Sequence, residues 1–89
     1  MSREIKVYGW DYFRVIDGRR VQTREIVAAY SVAEVLRLAG VTRSDYYHQG
    51  CVTQNEDELA LALSAPGRVF YTNNINRYAG KPVWIELRD

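Results

Sequence analysis

The chain has one cysteine, one histidine, one methionine and two prolines. A single cysteine makes no internal disulfide, which fits a reducing compartment. One cysteine and one histidine also fall short of the four ligands of a structural zinc site. No uninterrupted apolar stretch is longer than Ile26-Val27-Ala28-Ala29-Tyr30, far shorter than the roughly 20 residues a membrane-spanning helix needs. No basic-then-apolar leader opens the chain, so the expectation is a cytoplasmic protein without a secretory signal. The six glycines are scattered and form neither GxGxxG nor GxxxxGK, which argues against a phosphate-cradling loop. No cofactor and no metal are expected. Charge of one sign is lacking too: 12 Lys+Arg against 11 Asp+Glu leave +1, a balance that does not by itself mark a nucleic-acid binder.

What is present is an ordinary globular composition, 47% hydrophobic, 26% charged and 12% aromatic, which excludes disorder and collagen-like or coiled-coil repeats. Eighty-nine residues make one domain, 1–89, with one modest core and little room for a deep cleft. An enzyme is not expected. Cys51 and His48 are the nearest thing to a nucleophilic pair, three residues apart across an expected helix end. Such a pair needs hydrogen-bond reach and a third, orienting group. A small buried thiol and a surface imidazole are the plainer reading.

Charge is unevenly placed. Residues 1–30 carry six basic and four acidic groups, whereas 51–67 carry Glu56, Asp57 and Glu58 and no Lys or Arg. The densest basic stretch runs from Arg14 through Arg19 and Arg20 to Arg24. It reads either as a solvated hairpin or as an edge that contacts phosphates.

Residues 4–8 alternate polar and apolar, the period of a half-buried strand. Residues 12–16 form a second β-rich run, and Asp17-Gly18 then signals a type I′ hairpin turn. The returning strand extends to Ala29, with the 4–8 strand expected on one edge. Ser31 and Glu34 have capping-box spacing, Val32, Val35, Leu36 and Ala39 share one helical face, and Gly40 ends that helix. Thr42 to Gln49 reads as a second short helix. Asn55 caps a third, whose three acids suit a helix N-terminus, and Pro66-Gly67 breaks it. Arg68–Thr72 reads as a strand, 73–81 as a loop, and Pro82–Leu87 as the last strand. The expected fold is therefore α+β: a small antiparallel sheet of about four or five strands with two or three short helices on one face, in the order βββαααββ.

The run from Glu34 to Ser44, a helix, a Gly-Val turn and a Thr-Arg-Ser opening, resembles the helix-turn-helix of many small bacterial and phage regulators. The resemblance makes Gly40 the turn glycine, Val41 the apolar anchor, Thr42 the cap of the recognition helix and Tyr46 a packing position. It places Arg43, Ser44, Tyr47, His48 and Gln49 toward a DNA groove, where arginine can bridge guanine and glutamine adenine. Leu36 stands where that family has an alanine, and Asp45 lies inside the short recognition helix. Two helices around such a turn also occur as plain packing. On the DNA reading, Arg14, Arg19 and Arg20 contact backbone phosphates of double-stranded DNA.

A second resemblance covers roughly residues 24–72. Arg24 through Ala29, Ser31, Ala39-Gly40-Val41, Gly50, Val52-Thr53, Asn55, Glu58, Pro66-Gly67 and Val69-Phe70 look like a group of small proteins of actinobacterial genomes and their phages. It implies a phage-type accessory protein of the host cytoplasm and carries no catalytic residues.

Seven tyrosines and two tryptophans are many for one small core. They read as cross-strand pairs, as a protein-binding face, or as a stacking platform for single-stranded nucleic acid. Tyr46, Tyr47 and Tyr78 are the candidates for a face that binds a host or phage protein instead of DNA. The third helix is apolar nearly all round from Leu59 to Leu63, so either the core or a second copy covers it, and a homodimer is one expectation.

Overall fold

The computed structural model describes residues 4–73 and 83–87, with Tyr47, His48 and Gln49 described by backbone alone. The expected loop at 73–81 lies outside these residues from Asn74 on, as do Tyr78 and the proline start at Pro82.

The elements are β1 (Lys6–Ile16), β2 (Arg19–Ala29), α1 (Val32–Ala39), α2 (Arg43–Gln49), β3 (Cys51–Val52), α3 (Glu56–Ser64), β4 (Phe70–Thr72) and β5 (Ile85–Glu86). The α+β class holds, and the sheet has five strands in the order β3-β1-β2-β4-β5, each described pair antiparallel. The element order does not match expectation: it runs ββααβαββ. The runs at 4–8 and 12–16 are one continuous strand, not an edge strand plus a hairpin arm. Gly9 between them looks like a breaker, yet Tyr8, Trp10 and Tyr12 keep the alternation of side chains that a strand requires. Cys51-Val52 adds a short strand beside Tyr8 and Gly9 that carries no hydrophobic run to announce it.

The hairpin turn is as the sequence dictates. Asp17 and Gly18 both have positive φ, 52° and 78°, and Ile16 faces Arg19 across the two-residue loop, the geometry of a type I′ turn. Ser31 caps α1 by accepting from the Glu34 N–H, and Gly40 closes it in the left-handed region at φ 70°, where a Cβ is penalised. Thr42 and Asn55 cap α2 and α3 in the same way, accepting from Asp45 and Glu58.

The helices are not all on one face. Tyr8, Trp10, Val27 and Ala29 pack with Val35 and Ala39 of α1, with Val41 and with Tyr46 of α2. Val7, Ile26 and Ala28 pack with Ala62 of α3, flanked by Leu59, Leu61, Phe70 and Trp84. The central hairpin is thus covered by α1 and α2 on one side and by α3 on the other. This follows from the β2 sequence: Ile26-Val27-Ala28-Ala29 are all buried, so successive residues on both faces need cover. The apolar girth of α3 is met in part by this packing, although Leu63 stays 44% exposed. Among the described residues no helix is long and apolar enough to cross a membrane.

Candidate functional site

The most constrained chemistry lies midway along the hairpin, in two arginine–glutamate pairs on opposite faces. Glu25 is fully buried. Its carboxylate accepts from Arg14 Nε and Nη2, the latter at 2.8 Å, from Trp10 Nε1 at 3.2 Å and from Thr23 Oγ1 at 2.9 Å. Arg14 Nη2 also donates to the Ala39 carbonyl at 3.0 Å, satisfying an orphan acceptor at the end of α1. Arg14 and Glu25 therefore tie the hairpin to α1.

The second pair faces α3. Arg24 donates to Glu58 through Nε at 3.2 Å and Nη2 at 3.0 Å. Glu58 accepts as well from Thr53 Oγ1 at 2.6 Å, and Thr53 Oγ1 accepts from the Asn55 N–H. Asp11 lies 3.9 Å from Arg24. Burial works against the charge on both arginines, but hydrogen bonds and attraction from Glu25 and Glu58 overcome it and raise each above its ordinary value. A raised arginine gives stability that is fully present below the unfolded-state value and is lost only as pH rises through the folded one. Both arginines thus stay cationic at any ordinary pH.

Gly9 makes room for the second pair. A Cβ built there would meet Arg24 Nη2 at 2.5 Å and Cζ at 2.9 Å. We expect Gly9→Ala to push the guanidinium off Glu58 and cost about 1–3 kcal/mol, read by urea denaturation. An unchanged midpoint would mean that Arg24 relocates freely.

Beyond these anchors the hairpin projects as an arm. No residue from Val15 to Gln22 is buried. Arg19 and Arg20 are exposed, and Arg20 sits over the Phe13 ring, 4.6 Å from its centroid. Phe13 is 50% and Val15 74% exposed. On the opposite face Tyr12, Ile16, Tyr71 and Leu87 line an open groove of about 450 Å³ beside Arg14.

The candidate residues fall into distinct places. Arg19 and Arg20 share the arm tip. Arg14 does not join them, because its guanidinium is held by Glu25 and Ala39. Arg43 and Ser44 are exposed on the first turn of α2, an element separate from the hairpin. The side chains of Tyr47, His48 and Gln49, and the whole of Tyr78, lie outside the described residues. Tyr46 is not part of an exposed tyrosine face: it is buried, with its ring edge-on to Tyr8 and Trp10 at centroid distances of 6.4 and 6.1 Å. Its ring packs on the sheet instead. Cys51, expected as a buried thiol, is exposed. α1 and α2 each pack more on the sheet than on one another, so the segment is two sheet-bound helices joined by a turn. Among the described residues no group of three or more His, Cys, Asp or Glu is placed to hold a metal ion.

Sequence reasoning missed Glu25 and Glu58 as the organising acids. Glu58 reads as a first-turn helix acid, and Glu25 stands among arginines in a run that looks solvated. The available signal was Glu25 itself, the one acid between Thr23 and the apolar run.

Comparison with protein-family models, with curated proteins and with solved structures gives no match.

Proposed function

We propose that this chain is a small nucleic-acid-binding protein of regulatory or phage-accessory type that engages double-stranded DNA with its hairpin arm, assisted by the start of α2. The observation that carries the reading is the arm tip, where Arg19 and Arg20 stand exposed on a two-stranded ribbon with Asp17 as the one acid in the turn. A two-stranded ribbon fits the major groove, and exposed arginines serve phosphates or guanine edges. Arg43 and Ser44, at the capped start of α2, supply a second contact region, since α2 keeps the turn and cap of the helix-turn-helix pattern.

The test is fluorescence anisotropy with labelled duplex DNA across a salt series. Binding should weaken linearly in log–log form, and each of Arg19→Ala, Arg20→Ala and Arg43→Ala should reduce the salt slope by about 1. Unchanged affinity in the triple variant would sink the proposal. One observation favours a second reading, a protein-interaction module: Phe13 and Val15 are large, apolar and exposed on the same arm. On that reading Phe13→Ala removes capture of a protein partner, while DNA does not bind even at low salt.

A further inference from the structure

Strand alternation carries Tyr12, Arg14 and Ile16 to the same face of β1 as Trp10. Arg19 stands opposite Ile16, and Tyr71 stands opposite Glu25, which itself faces Trp10. Arg19 and Tyr71 therefore leave the sheet on that face too. α1 and α2 cover its Tyr8–Trp10 end. Toward the tip no residue from Val15 to Gln22 is buried, and the open groove of Tyr12, Arg14, Ile16, Tyr71 and Leu87 begins there.

Two properties of this groove select a ligand. The first is its rings. The Tyr12 ring centroid lies 5.2 Å from Arg14 Cζ, and both phenols are close enough to Arg14 to act on its charge. Two half-buried tyrosines thus converge on one guanidinium, with Ile16 and Leu87 beside them. The second is its charge. Nε and Nη2 of Arg14 are fixed by Glu25 and the Ala39 carbonyl, but among the described residues Nη1 has no hydrogen-bond partner. Arg19 is exposed at the open end, with its Cα about 7–8 Å from that of Arg14 by the diagonal spacing of paired strands. Among the described strand residues, the one acid on this face is Glu25, which is fully buried and bonded to Arg14.

Flat apolar contact joined to anion binding suits a nucleotide whose base is unpaired. A duplex keeps its base faces stacked inside and offers only edges and phosphates. A single strand can lay each base on an aromatic ring while cations hold its backbone. A peptide fits less well, because β2 and β4 each have a strand on both sides and leave no open edge for it to pair with. We propose that this groove binds single-stranded nucleic acid, with bases against Tyr12 and Tyr71 and phosphates on Arg14 Nη1 and Arg19. The site stands apart from the duplex reading, in which neither tyrosine has a part. Arg20, opposite Val15, leaves the arm on the other face.

Fluorescence anisotropy of the whole chain with a labelled oligothymidylate of about ten nucleotides, beside a duplex of equal length, tests the site. The oligomer should bind, and Tyr71→Ala should weaken it about tenfold or more while leaving duplex affinity unchanged. Tyr71→Phe keeps the ring and should bind like the parent. Two phosphate contacts give a log–log salt slope of about −1.4. Ultraviolet cross-linking of the unmutated chain to the oligomer, followed by peptide mapping, should place adducts on Tyr12 or Tyr71. This readout holds even where Tyr71→Ala fails to fold. An oligomer that binds in this way while the duplex does not would support this site and remove the duplex reading. No binding at low salt, a folded Tyr71→Ala variant that binds like the parent, or adducts only outside the groove would each overturn the proposal. Tighter binding of a labelled peptide of glutamate and tyrosine than of the oligomer would overturn it too, and would make the groove a peptide site.

Discussion

Glu25→Ala is expected to lower the stability of the folded chain by about 3–5 kcal/mol. The carboxylate is fully buried and serves four donor groups on three residues, Arg14, Trp10 and Thr23. Its removal strands a partly buried guanidinium and leaves the Trp10 N–H without an acceptor, and an unmet buried donor or charge costs more than a made pair contributes. Urea denaturation measures the loss. The partner change Arg14→Ala should be comparable, because it leaves a buried carboxylate with only neutral donors. The double variant should lose much less than the sum of the two, because neither charge is then left alone. Additive losses would show that the two side chains act on separate parts of the fold.

Trp10→Ala should cost a similar amount, about 3–5 kcal/mol. Trp10 is fully buried at the centre of the α1/α2 side, edge-on to Tyr46 at 6.1 Å, and donates to Glu25. It thus supports both the docking of α2 and the buried acid. Two readouts separate these roles in the variant. Loss of helical signal at 222 nm before the main unfolding transition marks release of α2, whereas a single cooperative transition at lower urea marks general loss of core. The first outcome is expected, because Tyr46 is the one buried residue of α2 whose side chain is described. A variant as stable as the parent would mean that Trp10 is not a core residue.

Local structure was largely legible in the sequence because it rests on local chemistry. Asp17-Gly18 demands positive φ, Ser31, Thr42 and Asn55 each accept from the N–H three residues on, and Gly40 takes the left-handed cap. What failed to show was long-range. Gly9 reads as an interruption until Arg24, fifteen residues away, is seen to lie against it. The two-sided burial of Ile26–Ala29 was visible as an apolar run, but which helix covers which side is set by non-local packing. The candidate site was legible only in part. Arg19 and Arg20 are at the surface, whereas Arg14 and Tyr46 look equally available in the sequence and are held inside by Glu25 and by Trp10. Charge and aromaticity can be read residue by residue; the partner that withdraws a side chain from solvent cannot.

The adjacency of Arg24 and Glu25 has a consequence for strand alignment. The two neighbours point to opposite faces of β2, Glu25 toward Arg14 and Arg24 toward Glu58. A slip of one residue in β2 would turn every side chain to the other face. Arg24 would then confront Arg14, and Glu25 would confront Glu58, so two attractions would become two repulsions in one step. The pair of opposite charges in consecutive positions thus acts as a lock on register, penalising the misaligned hairpin twice over where apolar contacts such as Val27 for Ala28 would discriminate far less.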